Sequence, residues 1–265
     1  MAERALRTAA SGMYAQQVNI QVIANNIANI NTTSFKKSRA EFQDLMYQEV
    51  EAHPLDSYLP GVVERTNNQV QVGTGVQLAS TQKMHLQGDL QNTGNMMDVA
   101  IRGEGFFQIR RQDGTYAYTR DGSFKISADG NLVTSDGYII EPGLTVPDDA
   151  ASLAVARDGS VTVTLQNGSS SPLGTIELAR FINTGGLNAI GDNLYLETES
   201  SGTPILGTPG LEGFGIVEQG FLESSNVDIV EEMVSMITAQ RAYEINSKTV
   251  STVEEMMNVA NNLKR

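Results

Sequence analysis

Residues 22–35 read VIANNIANINTTSF, and the fold turns on whether this stretch ends a helix or locks one helix against another. Asn25, Asn26, Asn29 and Asn31 fall within seven residues, between apolar residues at helical spacing. Asparagine is a poor helix former, because its amide competes for backbone hydrogen bonds. Working outward, Leu6, Met13, Ile20 and Ile27 stand seven apart. Ala10, Gln17 and Ala24 sit four after members of that row, and Ile23 and Ile30 widen the stripe. This spacing predicts a helix over residues 4–28 with a heptad seam that includes a polar Gln17. Such a helix is about 38 Å long at about 1.5 Å per residue. Gly12 is a weak point within it.

The opposite end repeats the pattern. Ile229, Met236, Tyr243, Val250 and Met257 are also seven apart, with Ala239, Val253 and Ala260 three after members of the row. Ser225 or Asn226 is placed to cap, and Asp228, Glu231 and Glu232 bring negative charge to the first turns, so a helix is expected over residues 227–263.

Between these ends the period changes to two. VTVTL at 161–165 alternates, as do Phe124/Ile126 and Val70/Val72. Asp-Gly occurs at 113–114, 121–122, 129–130, 136–137 and 158–159. That pair favours the positive-φ turns joining antiparallel strands. The expected architecture is mixed α and mainly β. A discontinuous, antiparallel coiled-coil pair of terminal helices (1–30 with 227–265) flanks an antiparallel β domain (94–209). An extended connector or long hairpin (31–93 with 210–226) joins them.

A long helix with a narrow apolar stripe is marginal alone in water. Each terminal stripe needs a cover, and the other terminus is the nearest of similar length. One reading lets the two helices cap the β domain's own core. The other leaves part of each stripe for further copies of the chain, and the product is a polymer. In the second, buried amides choose one axial register among many equally apolar ones. Asn25, Asn26 and Asn29 are the register-setting candidates. Leu6, Met13, Ile20, Ile23, Ile27, Ile229, Met236, Tyr243, Val250 and Met257 are the packing candidates.

Composition narrows the chemistry. The net charge of −13 argues against a nucleic-acid or anionic-membrane binder, which needs clustered Lys and Arg. Residues 1–40 carry +4 and residues 221–265 carry −3, so the two ends attract weakly. No cysteine is present, which removes disulfides, thiolate nucleophiles and Cys-ligated zinc. The first residues lack the apolar stretch of a secretory signal, and no run approaches the ~20 apolar residues of a membrane span. Two histidines, His53 and His85, do not make a metal cluster. GEGFFQ at 103–108 fails the dinucleotide fingerprint at Gln108 and reads as a tight approach into a buried Phe106/Phe107 strand. The Asp-Gly turns lack the spacing of a calcium loop. No catalytic residue, cofactor site or metal site is expected.

Three stretches carry a resemblance: SGMYAQQVNIQVIANNIANINTTSFKKSRAEFQDLMYQ (11–48), DVAIRGEGFFQI with YTRDGSFKISADGNLVTSDGY (98–138), and GFLESSNVDIVEEMVSMITAQRAYEINSK (220–248). They resemble, in order, the bacterial flagellar rod and hook axial proteins, and look most like the members that build the distal rod. The resemblance implies a self-assembled helical tube with terminal helices inside and β domains outside. It implies export through the flagellar type III apparatus without cleavage, and a place in the basal body crossing the periplasm. Implied neighbours are proximal rod proteins, the hook protein, and the periplasmic and outer-membrane ring proteins that act as a bushing. Nucleic acid and membrane insertion are not implied. The resemblance is weakest at 49–71, where rod and hook relatives differ in ways that bear on straightness, and at 169–215. The alternatives are a hook-type or proximal rod subunit and a secreted β-rich binding module.

Overall fold

A computed structural model describes residues 2–51 and 69–263. Among them the chain forms two compact units. One holds the residues up to Asn25, those from Ser38 to Gln82, and those from Val230 onward. The other holds Asn26–Lys37 and Lys83–Ile229.

Helix α1 spans Ala2–Ala28 and helix α2 spans Ile229–Leu263, close to the bounds the heptads predict. In the first unit they meet where Gly12 lies under Asn246: a Cβ built on Gly12 would stand 2.9 Å from Asn246 Nδ2. The chain just after α1 and just before α2 is tied together, Asn226 N–H donating to the Phe35 carbonyl (3.3 Å), and Gly12 and Asn246 are about equally far from those helix ends, so the helices run antiparallel. Gly12, which costs helix propensity, is thus the place where the second helix comes close.

The same unit contains a two-stranded arm. Strand Ser38–Asp44 pairs with Val76–Lys83, and beyond it Gln48–Glu51 pairs antiparallel with Gln69–Val72, Gln48 opposite Val72. Thr74 Oγ1 donates to the Met46 carbonyl (2.8 Å) and Leu45 N–H to the Gly75 carbonyl (2.9 Å), which ties the two pairs into one hairpin. The arm contacts α1 through Ser11, whose hydroxyl accepts from Val76 N–H at 3.3 Å. His53 and most of the segment 49–71 lie outside the described residues.

The second unit is antiparallel β. Its main sheet is organised on strand Phe106–Arg110. Tyr116–Thr119 lies along one edge. Along the other edge Leu178–Arg180 pairs with Phe106 and Phe107, and Ile139–Ile140 with Ile109 and Arg110. A three-stranded meander, Ala150–Val155, Ser160–Leu165 and Ser170–Thr175, packs its apolar face on the same core. Alternation in VTVTL has the expected result: Val161 and Val163 are fully buried. Phe106 and Phe107 are buried on opposite faces of their strand, in two different clusters.

Two features depart from the sequence reading. Four of the five Asp-Gly glycines adopt positive φ, but Gly122 does not. A Cβ there would sit 1.6 Å from the Val99 carbonyl oxygen, so Gly122 answers a close backbone approach instead of a turn. The segment 210–226, read as connector, carries two strands of the β unit. Ile216–Gln219 pairs with Val99–Arg102, Phe221–Glu223 pairs with Leu90–Asn92, and Val217 is fully buried in the core. Short polar-flanked strands of this kind leave little periodic signal.

Candidate functional site: the terminal helices and a buried ionic junction

At about 100° per residue, α2 carries two apolar faces. One meets the rest of its unit. Glu232, Ala239 and Val253 are buried on it, and Met236, Ala242, Asn246 and Val250 are half-buried. Ala239 and Ala242 on it are small, which allows close helix approach there. On roughly the opposite side lie Val230, Met233, Val234, Ile237, Ile245 and Met256, each more than half exposed. Of the row named from sequence, Met236 and Val250 flank the covered face, and Ile229, Tyr243 and Met257 are exposed. The row alternates between half-buried and exposed along the helix, so it follows neither face throughout.

Helix α1 is covered more broadly. Ala9, Ala15, Ile23 and Asn26 are buried, and Leu6, Met13, Ile20 and Ile27 are half-buried. Ala10, Gln17 and Ala24 face solvent, so the polar Gln17 is not in a seam. The amides divide. Asn26 is buried, Asn25 is exposed, and Asn29 is half-buried, its Oδ1 accepting from Thr32 Oγ1 at 3.1 Å. That bond lies just past the end of α1, where short polar side chains commonly bond locally.

In the second unit the residues after α1 lie beside those before α2. Ser34 N–H donates to the Glu223 carbonyl (2.8 Å) and Asn226 N–H to the Phe35 carbonyl (3.3 Å). Asn226 does not cap α2 with its amide. Its Oδ1 accepts from Lys37 N–H (2.7 Å), and its Nδ2 donates to the carbonyls of Met84 (2.8 Å) and Leu86 (3.1 Å). One side chain thus joins three segments.

Beneath these bonds is a buried ionic cluster. Lys36 Nζ pairs with Glu223 Oε1 and donates to the Leu86 carbonyl (2.7 Å). Gly88 N–H donates to the same carboxylate oxygen (2.9 Å), and Arg120 Nε to Oε2 (2.8 Å). Arg120 also donates to the carbonyls of Gly103 (2.9 Å) and Ile101 (3.3 Å), and its own carbonyl accepts from Ser34 Oγ (2.7 Å). Buried charges persist only when paired and hydrogen-bonded in this way. Burial, and then Arg120, hold the Lys36 ammonium below the ordinary lysine value, against the pull of Glu223. Beside the cluster, His85 packs edge-on to Tyr195 (5.0 Å) and Phe106 (5.6 Å). Burial pushes its pKa down to about 4, with Lys36, Arg120 and Lys83 adding to the shift. Burial raises the Tyr195 hydroxyl to about 12.

Sequence reasoning did not find this cluster. Lys36, Arg120 and Glu223 share no period and lie far apart in the chain. The available signal was indirect: each lies in a different one of the three stretches quoted above. Among the described residues no group of three or more His, Cys, Asp or Glu is placed to hold a metal, and no helix is long and apolar enough to cross a membrane.

Long terminal helices, an open apolar face on the second and a mainly β unit between them in sequence fit an axial structural protein. Family models agree along the chain: "Flagella basal body rod protein" matches residues 6–36, "Flagellar hook protein FlgE/F/G D1 domain" 100–163, and "Flagellar basal body rod FlgEFG protein C-terminal" 218–263. The flagellar basal-body rod protein FlgG of Borreliella burgdorferi is 51% identical, covering 99% of each chain. That of Caulobacter vibrioides is 48% identical over 98% of this chain and 99% of its own. A flagellar hook protein FlgE from Helicobacter mustelae is 46% identical, but over 52% of this chain and 30% of that one. The chain belongs to the family of flagellar basal-body rod proteins.

Proposed function

We propose that the chain is a structural subunit of the flagellar distal rod. It polymerises through its terminal helices into a hollow, straight shaft that transmits torque to the hook. Full-length similarity to basal-body rod proteins supports the class. The observation that carries the mechanism is the outer face of α2, where Val230, Val234, Ile237 and Ile245 lie open to solvent on a helix already packed on its other side. Exposed apolar surface of that extent marks an interaction site, and a like helix of a second copy matches it in length and periodicity. In this reading Leu6, Met13, Ile20, Ile23 and Ile27 pack within the subunit. Ile229, Tyr243 and Met257 meet neighbours, and Asn25 sets alignment between copies.

The subunit acts as a scaffold and performs no reaction. Its further partners are proximal rod proteins at one end, the hook protein at the other, and the ring proteins around the shaft. It reaches the basal body through the type III export apparatus. Val234→Asp tests the assembly mechanism. The variant should keep the helix and strand content of the parent by circular dichroism and fail to form tubes in electron micrographs. Tubes of normal length from that variant would defeat the assignment of the outer face.

A further inference from the structure

We propose that His85 is a proton sensor in the β unit: the site accommodates its imidazole only in the neutral form, and protonation opens the junction that holds residues 34–37 beside 223–226. The geometry points to this in three ways. Both ring nitrogens are buried and have no hydrogen-bond partner. Phe106 and Tyr195 lie against the ring in T-shaped contacts, and neither gives its nitrogens the hydrogen-bond acceptor that an imidazolium requires. The charged groups around it are already unbalanced. Lys36, Lys83 and Arg120 are cations, and among the described residues Glu223 is the carboxylate acting on His85. That carboxylate is engaged, with Oε1 bound by Lys36 and Gly88 N–H and Oε2 by Arg120. The phenol of Tyr195 remains neutral through the same range. A fourth positive charge therefore has no anion to meet it.

The sign follows from the direction of the shift. A histidine whose folded pKa lies near 4, below its usual 6.5, makes its contribution above about pH 6.5. That contribution is lost as pH falls toward 4, because the open state binds the proton more tightly. The opening equilibrium should rise by up to about tenfold per pH unit across that window.

Hydrogen exchange on the full chain at dilute concentration reads this opening at the amides of Ser34, Gly88 and Asn226, whose bonds define the junction. Between pH 7 and 4, after correction for intrinsic exchange, the parent should show that steep rise. His85→Phe, which keeps the aromatic contacts and cannot titrate, should show a rise at least tenfold smaller by pH 4. Identical profiles for parent and variant would overturn the proposal. A second measurement does not depend on the variant folding. In a His53→Gln background His85 is the remaining histidine, and its NMR titration should show proton uptake near pH 4. Uptake near 6.5 with the junction amides still protected would equally refute it.

Discussion

Gly12 of α1 and Asn246 of α2 face one another so closely that a methyl group on the glycine would come within 2.9 Å of the asparagine amide nitrogen. The clash is with the far end of a flexible side chain, while alanine gains roughly 1 kcal/mol of helix propensity over glycine. Gly12→Ala is therefore expected to be nearly neutral. Gly12→Leu should cost about 2 kcal/mol by overpacking. Adding Asn246→Ala should recover at least half of that loss. Urea unfolding of the two single variants and the double variant gives the coupling; simple additivity would show that the residues do not meet.

The Lys36–Glu223–Arg120 cluster predicts an order of severity. Glu223→Gln leaves two buried cations without their anion and should destabilise the β unit by roughly 3–5 kcal/mol. Lys36→Met leaves Glu223 bonded to Arg120 and to Gly88 N–H, so the loss should be smaller. The chain has no tryptophan, so far-UV circular dichroism in urea is the suitable probe. Equal losses would mean that the carboxylate is not the centre of the cluster.

Gly122 and Gly137 both follow an aspartate and should respond differently to alanine. At Gly122 the added carbon meets the Val99 carbonyl at 1.6 Å, and a loss of about 3 kcal/mol or more is expected. At Gly137 nothing lies within 4 Å and φ is +85°. There the cost is the left-handed conformation alone, about 1 kcal/mol. A thermal unfolding series on the two variants separates steric from conformational glycine.

The asparagines separate folding from assembly. Asn26 is buried, and Asn26→Ala should cost the monomer about 1–3 kcal/mol through polar groups left unsatisfied. Asn25 is exposed, and Asn25→Ala should leave monomer stability within about 0.5 kcal/mol. If Asn25 aligns neighbouring copies, the same variant yields fewer or irregular tubes, which electron microscopy counts. Regular tubes in normal yield would remove it from the register-setting set.

Ile20→Asp places a charge on the half-buried side of α1. The helix pair should loosen, with faster hydrogen exchange along α1 and α2, and assembly should fail with it. Exchange in the strand Phe106–Arg110, which belongs to the other unit, should stay as in the parent. Loss of protection there too would make the two units one cooperative block.

The bounds of both helices and the antiparallel character of the middle were legible in the sequence. They arise from short-range periodicities of 3.5 and 2 and from turn residues, which every few positions restate. Leu6 to Ile27 and Val161 to Leu165 are examples. Which residues are covered was not legible to the same degree. The face of α2 that packs inward carries Ala239 and Ala242 beside Glu232, Met236, Val250 and Val253. Met233, Val234 and Ile237 point away. Hydrophobicity alone ranks those two faces in the wrong order for the single chain. The ionic junction was invisible for another reason. Lys36, Arg120 and Glu223 become neighbours only when strands far apart in the chain pair up, and a lone charge carries no mark of its future burial. The sequence by itself thus determined the two helices and the alternating strands, because their causes act within a few residues. The tertiary structure decided the pairings, because closest approach and desolvation depend on atoms that the chain brings together only when folded.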